Sequence, residues 1–348
     1  MKLVKPLLLF FALLIFGQTQ AQDIHWTMFD MSPLTLNPAF TGAYEGTFRI
    51  GGIYRDQWNS FGATGFKTPS FYVDANILPV GKKSWLSVGG VIYNDEAGIG
   101  NLTVFSAMGS AALHLGLNKK ATTVLTIGLQ GGSVQRRLDT KDLRFQDVQP
   151  DGEILEAVNS LNYPLLGDGN DPEKSYLDFA AGVKLSSKLN KTSDVTVGMT
   201  FRHLTTPEQA FITTTPDDQK DLPLLFTIHG QFSTKLSDKL SLVPAFIYNK
   251  ISTANEIGLQ ALVGYSLGEN NDMTLYFGPG YRMVENDAIE AILRFDYKQF
   301  KVGAAYDFNM SSLSEVSKNK GGFEIAVSYI AKIFKEPSVK PVIFCPRF

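Results

Sequence analysis

Side chains able to do chemistry are scattered along this chain. The histidines, His25, His114, His203 and His229, share no ligand spacing with one another or with the lone cysteine, Cys345, so a zinc set is not expected. No Gly-x-Ser-x-Gly elbow, phosphate-binding loop or dinucleotide fingerprint occurs. Acidic residues crowd one stretch, at Asp139, Asp142, Asp147, Asp151 and Glu153, and again at Asp168 and Asp171 beside Asn170. Hard cations take several carboxylate oxygens, but this spacing does not fit an EF-hand, and a solvated acidic loop is the better expectation. No Ser/His/Asp triad gathers in one region either. The residues therefore predict no catalytic site, no cofactor and no metal centre. Cys345 has no internal partner for a disulfide.

Composition narrows the class of protein in which such a chain belongs. Its 348 residues carry 32 Lys+Arg against 34 Asp+Glu, a net charge of −2 that argues against nucleic-acid binding. With 44% hydrophobic and 19% charged residues the chain is expected to fold. A mean hydropathy of −0.02 is too low for a bundle of membrane helices. It does permit a transmembrane β-barrel, whose apolar surface is hidden at every second residue, and the 31 Gly, 25 Phe and 13 Tyr lean toward all-β. At the N-terminus Lys2 and Lys5 precede an apolar run, Leu7 to Phe16, and Thr19-Gln20-Ala21 supplies small residues before a cleavage point at Gln22. That pattern predicts an export signal over 1–21, too short in its apolar core to span a bilayer as an anchor.

The elements that would position any site are read from period-two alternation. Leu177, Phe179, Ala181, Val183 and Leu185 share one face, with Asp178, Ala180, Gly182, Lys184 and Ser186 on the other. The same test predicts fourteen strands, at 47–56, 70–77, 84–94, 101–116, 121–135, 175–188, 193–204, 222–234, 240–251, 256–267, 272–283, 287–298, 300–308 and 322–332. Long connections fall at alternate positions and tight Gly/Asn/Asp/Ser turns between them, so long loops and short turns collect at opposite ends. Segregation by parity predicts an outer-membrane barrel of about 14 antiparallel strands with both termini periplasmic. The apolar face would meet lipid, with Trp85, Tyr93, Tyr265, Tyr281, Tyr306 and Tyr329 as candidates for interfacial girdles. The opposite face carries Asp74, Asp178, Lys184, Arg202, His229 and Glu256. It continues with Gln260, Arg282, Glu290, Arg294, Asp296, Lys301, Asp307 and Glu324, charges of both signs that suit an occluded lumen better than an ion-selective pore.

Three short motifs stand at the ends of this pattern. Asn37-Pro38-Ala39-Phe40-Thr41-Gly42 follows the cleavage site, Tyr54-Arg55-Asp56-Gln57-Trp58 closes the first strand, and Cys345-Pro346-Arg347-Phe348 ends the chain. Asn-Pro favours a turn and Gly42 permits a positive φ, so this segment could enter the lumen or remain periplasmic. It reads first as a structural turn that seals the barrel base and, against that, as a docking element for a partner. Trp58 could be a girdle aromatic and Arg55 a lumen ion-pair member. Phe348 could be the terminal aromatic that assembly machinery reads, or part of a tail that touches a partner.

Together these motifs resemble the PorP/SprF family of outer-membrane proteins, and the likeness spans nearly the whole mature chain. The resemblance implies a non-enzymatic role in type IX secretion and gliding motility. Its expected partners are membrane lipid, a secreted surface adhesin, and components of the machinery that include a periplasmic peptidoglycan-associated lipoprotein. On this reading the chain divides into a signal peptide (1–21), an N-terminal periplasmic or plug-like segment (22–46), the barrel (47–332) and a C-terminal periplasmic tail (333–348). An alternative from another class is a channel or transporter for a small solute.

Overall fold

The structure, a computed structural model, describes residues 23–57, 65–98, 101–139, 172–211, 221–268, 272–283, 288–310 and 320–333. Fourteen strands follow one another around a closed antiparallel barrel. They are β1 (Phe48–Gln57), β2 (Phe66–Val80), β3 (Ser84–Ala97), β4 (Leu102–Gly116), β5 (Thr123–Arg137), β6 (Glu173–Lys188) and β7 (Ser193–Arg202). The second half consists of β8 (Leu225–Lys235), β9 (Leu240–Ile251), β10 (Ala254–Leu267), β11 (Met273–Met283), β12 (Ala288–Tyr297), β13 (Phe300–Asn309) and β14 (Lys320–Ala331). Closure comes from β1 pairing with β14, Phe48 opposite Ala331, which leaves no free sheet edge.

Alternation is what sorts the two faces. On β6 the side chains of Asp178, Ala180, Lys184 and Ser186 are buried inside, whereas Leu177 and Phe179 are 62% and 42% exposed on the outer wall. The same inversion holds around the ring, with Phe277, Leu293, Ile325 and Val327 outside and Arg282, Glu290, Arg294 and Glu324 within. A wall with its apolar side chains outward is the arrangement that lipid, and not water, stabilises. Among the described residues no helix is long and apolar enough to cross a membrane.

Three sequence expectations are adjusted. Strand β2 runs from 66 to 80, well beyond 70–77, because Pro69, Pro79 and a register shift between Asn76 and Leu78 obscure its alternation. Strand β7 stops at Arg202, short of 204, because His203 takes a left-handed φ of 57°. Trp85 and Tyr93 are not lipid-facing girdle residues. Both belong to the inward set of β3, and Trp85 stacks on His114 with ring centroids 4.5 Å apart. An aromatic residue is at home in either environment, so its type alone does not report the parity of its strand.

The barrel's core is its filled lumen. Residues 23–46 contain a 3-10 turn at Phe29–Met31, one α-helical turn at Pro33–Leu36 and a second 3-10 turn at Pro38–Phe40. Trp26, Met28, Phe29, Met31, Leu36, Phe40 and Ala43 from this segment pack against inward-facing Ile53, Val243, Ile247, Leu262, Tyr276 and Ile292. The segment makes contacts on strands all round the ring, from β2 and β4 through β6 and β7 to β13 and β14.

Candidate functional site: a lumen filled by the N-terminal segment

The segment is held in successive tiers from one end of the barrel to the other. At the short-turn end, where β1 starts and β14 stops, the Asp74 carboxylate on β2 accepts from the Gly42 N–H at 2.6 Å and from the Arg49 guanidinium at 2.8 and 3.0 Å. Arg49 also donates to the Phe40 carbonyl at 3.1 Å and lies over the Tyr44 ring. The Tyr44 hydroxyl donates to the Asp74 carbonyl at 2.6 Å. Gly42 has φ of +69°, and a Cβ placed there would meet the Ser87 side chain at 2.0 Å, so the turn demands glycine. On β4 the His114 Nε2–H donates to the Thr41 carbonyl at 2.8 Å, which leaves Nδ1 facing the Thr126 hydroxyl at 3.0 Å.

Mid-lumen, the Asn-Pro-Ala-Phe motif lies against β5 to β8. Asn37 caps the following 3-10 turn by accepting from the Ala39 N–H at 2.8 Å. Its amide nitrogen lies 3.2 Å from the carbonyls of Val183 and Met199 and 3.0 Å from His229 Nε2. Backbone packs directly on backbone at Gly128 of β5, where an added Cβ would fall 2.3 Å from Pro38 C and Ala39 N. The Gln130 amide donates to the Leu34 carbonyl at 3.2 Å. Across the lumen Arg294 bonds the Asp30 carboxylate at 3.1 Å and lies 4.1 Å from the centroid of the Tyr276 ring.

Toward the long-loop end the polar contacts are denser. Arg55, 2% exposed, bridges Asp307 at 2.7 Å and also pairs with Glu324. Arg282 shares Asp307 at 3.1 Å and reaches Glu290 at 3.4 Å. The N-terminal segment completes this cluster. The Thr27 and Met28 N–H groups donate to the two Glu324 oxygens at 2.6 and 2.8 Å, while the Thr27 hydroxyl donates to Asp307 at 2.7 Å and accepts from Arg55 at 3.0 Å. Gln260 donates to the Thr27 carbonyl. Buried charges are tolerable only when paired and hydrogen bonded on every side, and here the plug backbone supplies part of that pairing.

The outermost tier is a latch. Asp23 pairs with Arg202 at 3.2 Å and with His203 Nε2 at 3.1 Å, and His203 Nδ1 meets Asp178 at 2.7 Å. Burial alone would lower the basicity of His203, but the two carboxylates that accept from its ring nitrogens outweigh it and raise the pKa to about 9. Both nitrogens then donate, and the ring is an imidazolium at neutral pH. Next to the latch Asp23, Ile24 and His25 border a small solvent-open niche whose other walls include Leu225, Asn249, Ile251 and Glu256.

The site residues read from the sequence thus separate. Asn37, Pro38, Ala39, Phe40 and Gly42 lie together in the lumen, and Arg55 joins them through the charge cluster, with Gln57 accepting from it at 3.3 Å. Tyr54 is on the opposite, outward parity of β1. Trp58 and Cys345, Pro346, Arg347 and Phe348 lie outside the described residues, as do the signal segment and most of the acidic stretch. Both ends of the strand series lie at the short-turn end, yet Asp23 sits beside His203 at the other, so the chain ahead of β1 crosses the barrel. Sequence reading missed Thr27, Tyr44, Arg49 and His203. The inward charges Asp307 and Glu324 were legible from parity, but nothing signalled that Thr27 would meet them.

Among the described residues, no group of three His, Cys, Asp or Glu side chains is placed to hold a metal ion. No curated protein matches the chain. Solved structures to which the chain is similar include the toluene transporter TodX of P. putida (10% identity, 86% of this chain and 93% of that one, TM-score 0.48). The CymD monoaromatic hydrocarbon channel (12%, 87% and 93%, 0.46) and the KdgM porin (7%, 82% and 99%, 0.36) are further examples. The family model for the type IX secretion system membrane protein PorP/SprF matches residues 18–329, which takes in the lumen segment and the strands up to β14. The chain belongs to the PorP/SprF family and is an outer-membrane β-barrel.

Proposed function

We propose that this barrel works closed, as a scaffold of the type IX secretion and gliding machinery. Its long loops would hold a secreted surface adhesin, while the short-turn end and the C-terminal tail engage periplasmic components such as a peptidoglycan-associated lipoprotein. In this arrangement the short turns face the periplasm. The observation that carries the reading is a lumen occupied along its length by the chain's own N-terminal segment, which completes the hydrogen bonding of buried charges on the barrel wall. A rigid, filled barrel resists lateral load and conducts poorly, both suited to an anchor. The test is conductance of the purified protein in planar bilayers together with recovery of partners from cells. A closed barrel that co-purifies with an adhesin or a lipoprotein supports the scaffold, and a large steady pore overturns it.

A second reading, passage of a small solute, is favoured by the niche beside Asp23 and His25, which mixes apolar walls (Ile24, Leu225, Ile251) with polar ones (Asn249, Glu256) at the long-loop end. Passage would require the N-terminal segment to move. Uptake of a small apolar solute by liposomes containing the protein, lost when the segment is crosslinked to β14, distinguishes this reading from the first.

A further inference from the structure

The short-turn end has a charge pattern that the lumen does not explain. Lys82 and Lys83 lie between β2 and β3, Lys119 and Lys120 between β4 and β5, and Lys188 and Lys191 around the β6–β7 turn. The β8–β9 turn adds Lys235 and Lys239, the β12–β13 turn Lys298, and Lys332 follows β14. Among the described residues of this rim the carboxylates are Glu45, Asp194, Asp238, Asp272 and Asp296, so the ten lysines dominate. The opposite rim is mixed in sign, with Asp56, Glu96, Glu173, Glu208 and Asp221 among Lys67, Arg137, Lys174 and Lys250.

We propose that this rim is a ring of binding sites for the headgroups of anionic glycerophospholipids in the leaflet it meets. Two features favour lipid over a protein partner. The lysines stand at five of the six short turns and just beyond β14, so they surround the barrel as a bilayer does, with eight of the ten on the arc from β2 to β9. They are also interleaved with exposed apolar residues of the same turns and strand ends, Leu78, Leu117, Leu189, Leu236 and Ile333. A leucine that enters the acyl region beside a lysine whose stem reaches back to the phosphate plane is the arrangement expected of an interfacial anchor. The turns are tight, so each ammonium stays within a side chain's length of the strand ends and of the membrane surface.

The experiment uses the full-length protein in phosphatidylcholine vesicles and measures association of spin-labelled phosphatidylglycerol against spin-labelled phosphatidylcholine. The wild type is expected to prefer the anionic lipid by about fivefold per engaged lysine at low salt, falling as salt rises. Replacing the ten rim lysines with glutamine should abolish the preference, their replacement with arginine should keep it, and K67Q with K250Q at the other rim should leave it unchanged. The heat-modifiable band of the folded barrel checks that each variant has folded. For a variant that has not, the salt dependence of the wild type decides. No preference in the wild type, a preference that ignores salt, or one that survives the glutamine changes overturns the proposal. Displacement of the lipid by soluble polyglutamate would assign the ring to an acidic protein and overturn it as well.

Discussion

Arg55 is the side chain on which the largest group of buried charges depends. Replacing it with methionine keeps most of its volume but takes the cation from Glu324 and leaves Asp307 with Arg282 alone, a loss of about 3–5 kcal/mol for a buried pair broken on one side. The R55M variant should therefore release the Thr27–Met28 region, and limited proteolysis should cut near residue 27 in that variant while sparing the wild type. His203 gives a different signature. Its folded pKa of about 9 lies above the unfolded value of 6.5, so its contribution is fully present below pH 6.5 and disappears as pH rises through 9. That contribution amounts to roughly 3 kcal/mol at most. With the intrinsic base-catalysed exchange rate divided out, protection at Asp23–His25 should fall between pH 8 and pH 10, and H203Q should flatten that protection profile.

Strands and plug differ in how openly their sequences declare them. A strand between lipid and lumen must change environment at every residue, so β6 and β10 announce themselves in the alternation of Leu177/Asp178 and Leu259/Gln260. The lumen segment has water or lipid on neither side. It is buried all round in short helical turns, a pattern with no period to detect, and its partners lie up to 297 residues away. Only the Asn-Pro turn and Gly42 were readable, because backbone conformation is written locally. Close backbone contact at Gly128 was not, since nothing in β5 distinguishes that glycine from one that merely fills a strand. Substituting valine there places a branched side chain where Pro38 and Ala39 now lie. G128V should displace the motif without breaking the β4–β5–β6 ladder, and single-barrel recordings should show openings absent from the parent protein.

Taken as a whole, the molecule joins the two ends of its barrel with one continuous strip of its own chain, from the latch at Asp23 to the first strand at Phe48. With the short turns on the periplasmic side, a small epitope inserted after Gln22 should bind an impermeant antibody on intact cells, and one at the C-terminus should bind only after permeabilisation. An N-terminal epitope hidden on intact cells would place the latch in the periplasm and reverse the orientation. The crossing also dictates an order of events in biogenesis. If residues 1–21 are the export signal that the sequence predicts, a leader still joined ahead of residue 22 would have to emerge beyond the far rim while its apolar half holds it at the inner membrane. On that expectation, release of the leader comes before threading. Final closure of β1 on β14 completes a hoop around a filament, so a mutant that resists leader removal should stall as an open, protease-sensitive sheet at the periplasmic face of the outer membrane.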